Sequence, residues 1–244
     1  MKGGPTLRQA AVISGVVLLV MAATAPLAEF HAYPKLLPPG GLEHAAAHVG
    51  ANQGLLLQAI LAYLVNFVGD VVIAWSLYAL LRPVSASLSM LTAWFRVVYT
   101  VIAVVALQNL VTVLRLVTTP DYLKAFGPEQ LDAQVLLLLR AYRYHWGISL
   151  VFFGIHLCLL GYLVYRSGYI PRVLGALLVV AGLGYVVYHL GPYLAPGTSF
   201  EWLFVTFFGE LFFMLWLLVR GWTIETAPPA AAEQAINRAG GPSA

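Results

Sequence analysis

Four ionisable side chains stand inside long apolar runs of this chain: Asp70, Arg96, His156 and Glu210. A charge at the centre of a bilayer is costly, about 2.5–3.5 kcal/mol on insertion scales, so such groups pair and face the interior of a bundle. Asp70 lies twelve residues before Arg82 and Arg96 fourteen after it, while His156 and Glu210 each precede an arginine, Arg166 and Arg220, by ten. At about 1.5 Å per helical residue, these offsets bring all four to one depth, roughly 15–20 Å from the arginine-bearing ends. Asp70 and Arg96 are the natural ion pair. Asn66 lies one turn from Asp70, and Thr92, Tyr99 and Thr100 share the face of Arg96, so both charges have polar support. Glu210 adds a second carboxyl group, charged or neutral. Such a cluster either fixes helix register or forms a midplane site for a proton, an ion or a small polar ligand.

The elements that must position these residues follow from composition. Of 244 residues, 61% are hydrophobic and only 9% charged, with a mean hydropathy of +0.84. That excludes a water-soluble globule, which needs far more polar surface. Six apolar stretches, at 9–28, 54–81, 88–116, 144–165, 173–190 and 200–220, are long enough to cross about 30 Å of hydrocarbon as helices. The fourth has an apolar, helix-forming lead-in at 133–139. The expected fold is all-α: one polytopic membrane bundle of six transmembrane helices over residues 1–222. An Ala-, Pro- and Gly-rich tail, 223–244, is expected to be disordered and cytoplasmic. The first stretch follows Lys2 and Arg8 and could be a signal peptide, but Pro26 directly after Ala23-Thr24-Ala25 suits a cleavage site poorly, so it is read as a retained helix. The connection at 28–53 holds Pro34, Pro38, Pro39, Gly40 and Gly41, with a short helix expected at 42–49.

Charge distribution gives an orientation. Lys2, Arg8, Arg82, Arg166, Arg172 and Arg220 fall on one side; Glu29, Lys35, Glu43, Asp121, Lys124, Glu129, Asp132 and Glu201 fall on the other. The positive-inside rule then puts both termini in the cytoplasm. The net charge of +3 is spread over short connections, so nucleic acid is not an expected partner. Membrane lipids, and a membrane protein, are.

Glycine recurs every seven residues at Gly147, Gly154, Gly161, Gly168, Gly175 and Gly182. A seven-residue step nearly returns to the same helix face, and small residues let helix backbones approach closely in lipid. The spacing predicts a tightly packed antiparallel hairpin turning at Gly168.

His44 and His48 are four apart, and on a helix would share a face that could hold zinc or copper with Glu43, His31, His145 or His189. The HExxH pattern is absent. His145 and His189, the histidine pair nearest to haem ligation, are offset by about 6 Å at helical rise. No cofactor is therefore expected; haem or a metal remains the alternative. The single Cys158 excludes an internal disulfide. Arg140, Tyr142, Arg143, Tyr144 and Trp146 mark an interfacial belt, or a pocket for a lipid headgroup or another anion. No GxSxG, P-loop or dinucleotide fingerprint occurs.

Several segments together carry a resemblance. They are 70–84 (DVVIAWSLYALLRPV), 93–99 (AWFRVVY) and 153–175 (FGIHLCLLGYLVYRSGYIPRVLG), continuing to Gly182-Leu183-Gly184-Tyr185. These resemble the bacterial integral membrane proteins of domain-of-unknown-function family 4386, well over the second to fifth stretches and loosely over the rest. The resemblance implies that Asp70, Arg96, His156 and the glycine-containing turn are family elements, and that His44 and His48 are not. The family carries no established activity, so the resemblance supplies no mechanism. The functional expectation is an accessory, sensing or ligand- and lipid-binding membrane protein, more a binder than an enzyme. A small proton-coupled carrier and a haem or metal enzyme are the alternatives.

Overall fold

The computed structural model describes residues 4–224. The tail expectation lies outside the described residues from position 225 onward, as does Lys2. Among the described residues every regular element is helical. Six helices are long and apolar enough to cross a membrane. They are α1 (Leu7–Leu36), α3 (Gln53–Leu81), α4 (Ala86–Thr118), α6 (Pro128–Ser167), α7 (Arg172–Leu194) and a sixth span, Glu201–Thr223, with α8 (Phe208–Arg220) as its α-helical centre. Two short helices, α2 (Ala45–Ala51) and α5 (Pro120–Ala125), lie in connections at one end of the bundle. Consecutive spans run antiparallel, so the start of α1 and the end of the sixth span adjoin, with Gly221 against Ala11.

The outer surface of the bundle is apolar. Val68, Trp94, Val105, Val180, Val219 and many others are exposed, as side chains must be where lipid is the solvent. The interior is where the polar atoms meet.

Several boundaries differ from the sequence reading. The first helix does not stop near residue 28. After Pro26 it continues through a π-helical turn, Leu27–Ala32, and a final α turn, Tyr33–Leu36. Pro26 and Pro34 lack an amide hydrogen, and the wider turn between them absorbs the disturbed ladder. Tyr33 holds this extension in place, its hydroxyl donating to the Leu139 carbonyl at 2.9 Å. The connection is thus shorter than expected, and its helix is Ala45–Ala51 rather than 42–49.

The fourth span is longer than expected, 40 residues, or about 60 Å at helical rise. Its first turns project past the hydrocarbon. From there Asp132 accepts from the backbone amides of His44 (3.2 Å) and Ala46 (2.7 Å), satisfying the exposed N-terminus of α2.

The glycine ladder packs α6 against α7, the most extensive contact in the molecule. A Cβ added at Gly154 would lie 2.7 Å from the Gly182 carbonyl oxygen, and one at Gly182 would lie 2.5 Å from that of Gly154. Gly161 and Gly175 oppose each other in the same way, at 2.5 and 2.6 Å. No side chain fits at these four positions. Gly168 caps α6 with φ +75°, the left-handed conformation that glycine adopts without strain. Beside it the half-buried Tyr169 hydroxyl donates to the Leu80 carbonyl at 2.6 Å, fastening the turn to α3. Burial raises this phenol to about 12, so it remains a donor.

The inner rungs generate a prediction. Gly154→Leu is expected to lower the melting temperature of the detergent-solubilised protein more than Leu157→Ala, although Leu157 is itself buried. The leucine truncation leaves a cavity costing about 2–5 kcal/mol, whereas a side chain at 154 must separate two helix backbones. Equal shifts would remove the seam from the packing argument.

Candidate functional site

The depth argument from the sequence converges on real contacts. Asp70 on α3, Arg96 on α4 and His156 on α6 are all buried, with relative exposures of 1%, 2% and 0%. Arg96 donates twice to a single oxygen of Asp70, from Nε at 2.9 Å and from Nη2 at 2.6 Å to Oδ1. Its remaining terminal nitrogen, Nη1, lies 3.1 Å from Nε2 of His156. His156 Nδ1 in turn lies 2.8 Å from the Thr92 carbonyl oxygen, one turn before Arg96 on α4. A carbonyl only accepts and an arginine only donates. These partners assign the imidazole as the neutral tautomer with hydrogen on Nδ1, and Nε2 accepts from Arg96.

Why the sequence builds this locally is clear from helix geometry. Thr92, Arg96, Tyr99 and Thr100 lie at spacings of three and four along α4, and all four are buried. Thr92 and Thr100 return their hydroxyls to carbonyls in the preceding turn, at 2.8 Å each, so they add no unmet polar atoms. The guanidinium also stands 5.2 Å from the centre of the Phe153 ring, within cation–π range. Phe153 is a hub. Tyr99 lies 4.8 Å away, Tyr185 meets it edge-on at 5.1 Å, and His156 lies at 5.8 Å.

The other expected members stand further out. Glu210, on α8, accepts from the Tyr185 hydroxyl at 3.3 Å, so its link to the arginine runs through Tyr185 and Phe153 instead of a direct bond. Tyr99 lies in the field of Asp70, Arg96 and Glu210. Asn66 is one turn from Asp70, but its amide donates to Thr24 Oγ1 and to the Ala62 carbonyl, both at 2.8 Å. It ties α3 to α1 and makes no bond to the cluster. Phe153 and Tyr185 were not singled out for this site by sequence reasoning. The signal that could have found them is their position, three residues from His156 and at matching depth on α7.

The cluster has one loose end. Asp70 Oδ2 is buried without a hydrogen-bond partner. Space beside the cluster is minimal: a gap lined by Ala74, Leu77, Thr92 and His156 has no room for a water molecule. Open cavities lie instead at the two ends of the bundle. At the end bearing Gly168, one of about 720 Å³ is bordered by Arg8, Trp75 and Trp222 and another of about 570 Å³ by Gly168, Arg172 and Arg220. Two more lie at the end that carries α2 and α5. One, of about 410 Å³, is bordered by Glu29, Tyr33, Pro38, Arg140, Arg143 and Tyr144. A second, of about 870 Å³, shares Arg143 and Tyr144 and runs between α6 and α7. Arg143 pairs with Glu29, which also accepts from the Tyr63 hydroxyl at 3.2 Å. Tyr33, Tyr63, Tyr142 and Trp146 pack around this pair with ring centres 5.2–5.7 Å apart.

The histidines offered for a metal are dispersed. His44 has φ 58° and precedes α2 instead of lying within it. The ring Nε2 of His48 is occupied by the Lys35 carbonyl oxygen at 2.9 Å. His145 meets Asn109 at 3.3 Å, and His31 meets Lys35 at 3.3 Å. Among the described residues no three His, Cys, Asp or Glu side chains converge on a metal position.

The family described as "Domain of unknown function (DUF4386)" matches residues 13–221, and the chain belongs to it. An uncharacterized protein of the archaeon Archaeoglobus fulgidus is 40% identical over 152 residues, which span 62% of this chain and 76% of that relative. No solved structure matches the chain.

Removing one member of the buried pair strands the other. Arg96→Leu and Asp70→Asn are each expected to destabilise the protein strongly, by about 3–5 kcal/mol for an uncompensated buried charge. The double variant Asp70→Leu/Arg96→Leu is expected to cost less than the sum of the single leucine substitutions. Thermal unfolding in detergent reads all of these, and additive effects would dissolve the pair as a unit.

Proposed function

We propose that this member of the family is a non-catalytic binding protein of the membrane, an accessory or sensing component whose ligand is lipid-like. One contrast carries the reading. At mid-depth the polar groups answer one another and leave no room for a water molecule, whereas two open cavities border Arg143 at one end of the bundle. On this reading the Asp70–Arg96–His156 cluster holds α3, α4 and α6 in register, and the ligand is received at the aromatic and arginine-bearing end. Cavities of this size suit small ligands, and tyrosine, tryptophan and arginine are the residues that suit a headgroup region.

The orientation belongs to the same proposal. Arg82, Arg166, Arg172 and Arg220 lie near the end opposite these cavities, and the positive-inside rule makes that end cytoplasmic. Both termini would then face the cytoplasm of a bacterial inner membrane, and the cavities would open on its outer side. Residues 1–222 would act as one unit.

A second reading has one atom in its favour. The unpartnered Asp70 Oδ2 suits the coupling carboxylate of a small proton-coupled carrier, since buried carboxylates line proton paths in transporters. Proton uptake into proteoliposomes driven by a pH gradient, lost in Asp70→Asn, would establish that reading over the first.

Native mass spectrometry of protein purified in mild detergent tests the binding reading. A discrete adduct of lipid mass is expected on the wild-type chain, and on His156→Ala at temperatures below its melt. A bare polypeptide would overturn the reading. An adduct lost from a still-folded His156→Ala would return the binding site to the cluster.

A further inference from the structure

At the end of the bundle bearing Gly168, cationic side chains stand without counter-charges. Arg8, Arg82, Arg166, Arg172 and Arg220 all lie there and are exposed. The carboxylates of residues 4–224 lie elsewhere: Asp70 and Glu210 at mid-depth, and Glu29, Glu43, Asp121, Glu129, Asp132 and Glu201 toward the opposite end. Among the described residues the ion pairs are Asp70–Arg96 and Glu29–Arg143, so none of these five arginines is paired.

Two of the five share a cavity of about 570 Å³. The hairpin turn and the start of α7 give it Gly168, Tyr169 and Arg172, and the end of the sixth span gives it Trp216, Arg220 and Thr223. No acidic side chain lines it. Arg220 is not needed to cap its own helix, because other groups meet the last carbonyls of α8. Trp222 Nε1 donates to that of Val219 at 2.7 Å, and the Thr223 hydroxyl to that of Arg220 at 2.8 Å. The Arg172 guanidinium stands 5.7 Å from the Tyr165 ring centre, a contact through its face that leaves its N–H edge for an acceptor. The start of α7 adds the positive end of a 23-residue helix that has no side-chain cap. The other cavity at this end holds one arginine, Arg8.

We propose that the cavity between Arg172 and Arg220 binds the head of a membrane lipid that carries two negative charges on phosphate. Two fixed positive charges with no carboxylate among them call for two negative charges, and the guanidinium fork matches phosphate oxygens. Basic pockets between transmembrane helices hold such heads. The bound head ties the hairpin of α6 and α7 to the sixth span. This site goes beyond the ligand reading above, which concerns the cavities beside Arg143 at the other end. In the sequence Glu225 follows Ile224, but one carboxylate answers one guanidinium and leaves the second unmet.

The test uses the full chain in mild detergent at pH 8, where a phosphomonoester, with a second pKa of about 6, is close to dianionic. Dioleoylphosphatidate, tetraoleoylcardiolipin and dioleoylphosphatidylglycerol are added at equal concentration, and native mass spectrometry reads the retained fraction of each. Wild type is expected to retain phosphatidate, cardiolipin or both at least three-fold over phosphatidylglycerol. Phosphatidate alone assigns one phosphomonoester to the site, and cardiolipin alone a pair of phosphodiesters. Arg172→Gln and Arg220→Gln should each abolish the preference while melting with wild type when no lipid is added, since both side chains are exposed. Arg82→Gln, which removes the same charge from the same end outside the cavity, should keep it.

Equal retention of the three lipids by wild type would overturn the proposal. So would an equal loss of preference in Arg82→Gln, which would make it a property of the whole basic surface. A Glu225→Gln variant that retains the preferred lipid at least three-fold better than wild type would make the chain's own carboxylate the occupant. Inorganic phosphate that raises the melting temperature as much as the preferred lipid does would remove the lipid from the site. None of these outcomes touches the reading at Arg143, whose adduct is expected to survive in Arg172→Gln.

Discussion

The guanidinium of Arg96 is the constraint on which the rest of the bundle is arranged. It is a permanent charge at mid-depth, where neither water nor lipid can solvate it. The chain answers it with a carboxylate from one neighbouring helix, an imidazole lone pair from another, and an aromatic face beside that imidazole. Each partner fixes a rotation and a depth: α3 must present Asp70, and α6 must present His156 and Phe153 three residues apart. Little freedom remains to three helices once those contacts are made.

Packing in lipid has no hydrophobic force between helices to draw on, so close fit and hydrogen bonds must supply it. Here the two are divided between partners. α6 meets α4 through the polar cluster and α7 through bare glycine backbone. On the far side of α3, α1 is held by small and polar contacts, among them Ser14 to Ser76 at 2.8 Å and Asn66 to Thr24 at 2.8 Å. The sixth span then closes the ring, with α8 on α1 and on α7. The tightest packing is therefore at mid-depth, where no room for a water molecule remains. The end opposite Gly168, where α6 outruns the membrane, holds the two cavities bordering Arg143 on which the proposed ligand reading rests.

Much of this was legible in the residues. The six spans follow from apolar run length, and the hairpin of α6 and α7 from a seven-residue glycine period. The meeting of Asp70, Arg96 and His156 follows from counting inward from two arginine-bearing turns, at Arg82 and Arg166. The same count placed Glu210 at the right depth but not in the right contact, because depth says nothing about azimuth: Tyr185 takes the Glu210 carboxyl group before Arg96 can. Asn66 misled in a similar way. Its sequence neighbour is Asp70, but its amide is turned to α1.

Sequence alone determined what each segment must do: which runs are buried in hydrocarbon, which charges cannot stand there unpaired, and where helix backbones can touch. Those are one-dimensional properties, set by side-chain chemistry and by the fixed rise and period of the α-helix. Only the tertiary structure decided which lone pair meets which donor, and therefore that Asp70 Oδ2 and Trp146 Nε1 are left without partners. It also decided that α1 carries on past Pro26, since the Tyr33–Leu139 bond comes from a helix more than a hundred residues away. Contacts of that kind depend on the rotation of one helix about its axis against another. The packing of the whole bundle fixes those rotations, and no local pattern encodes them.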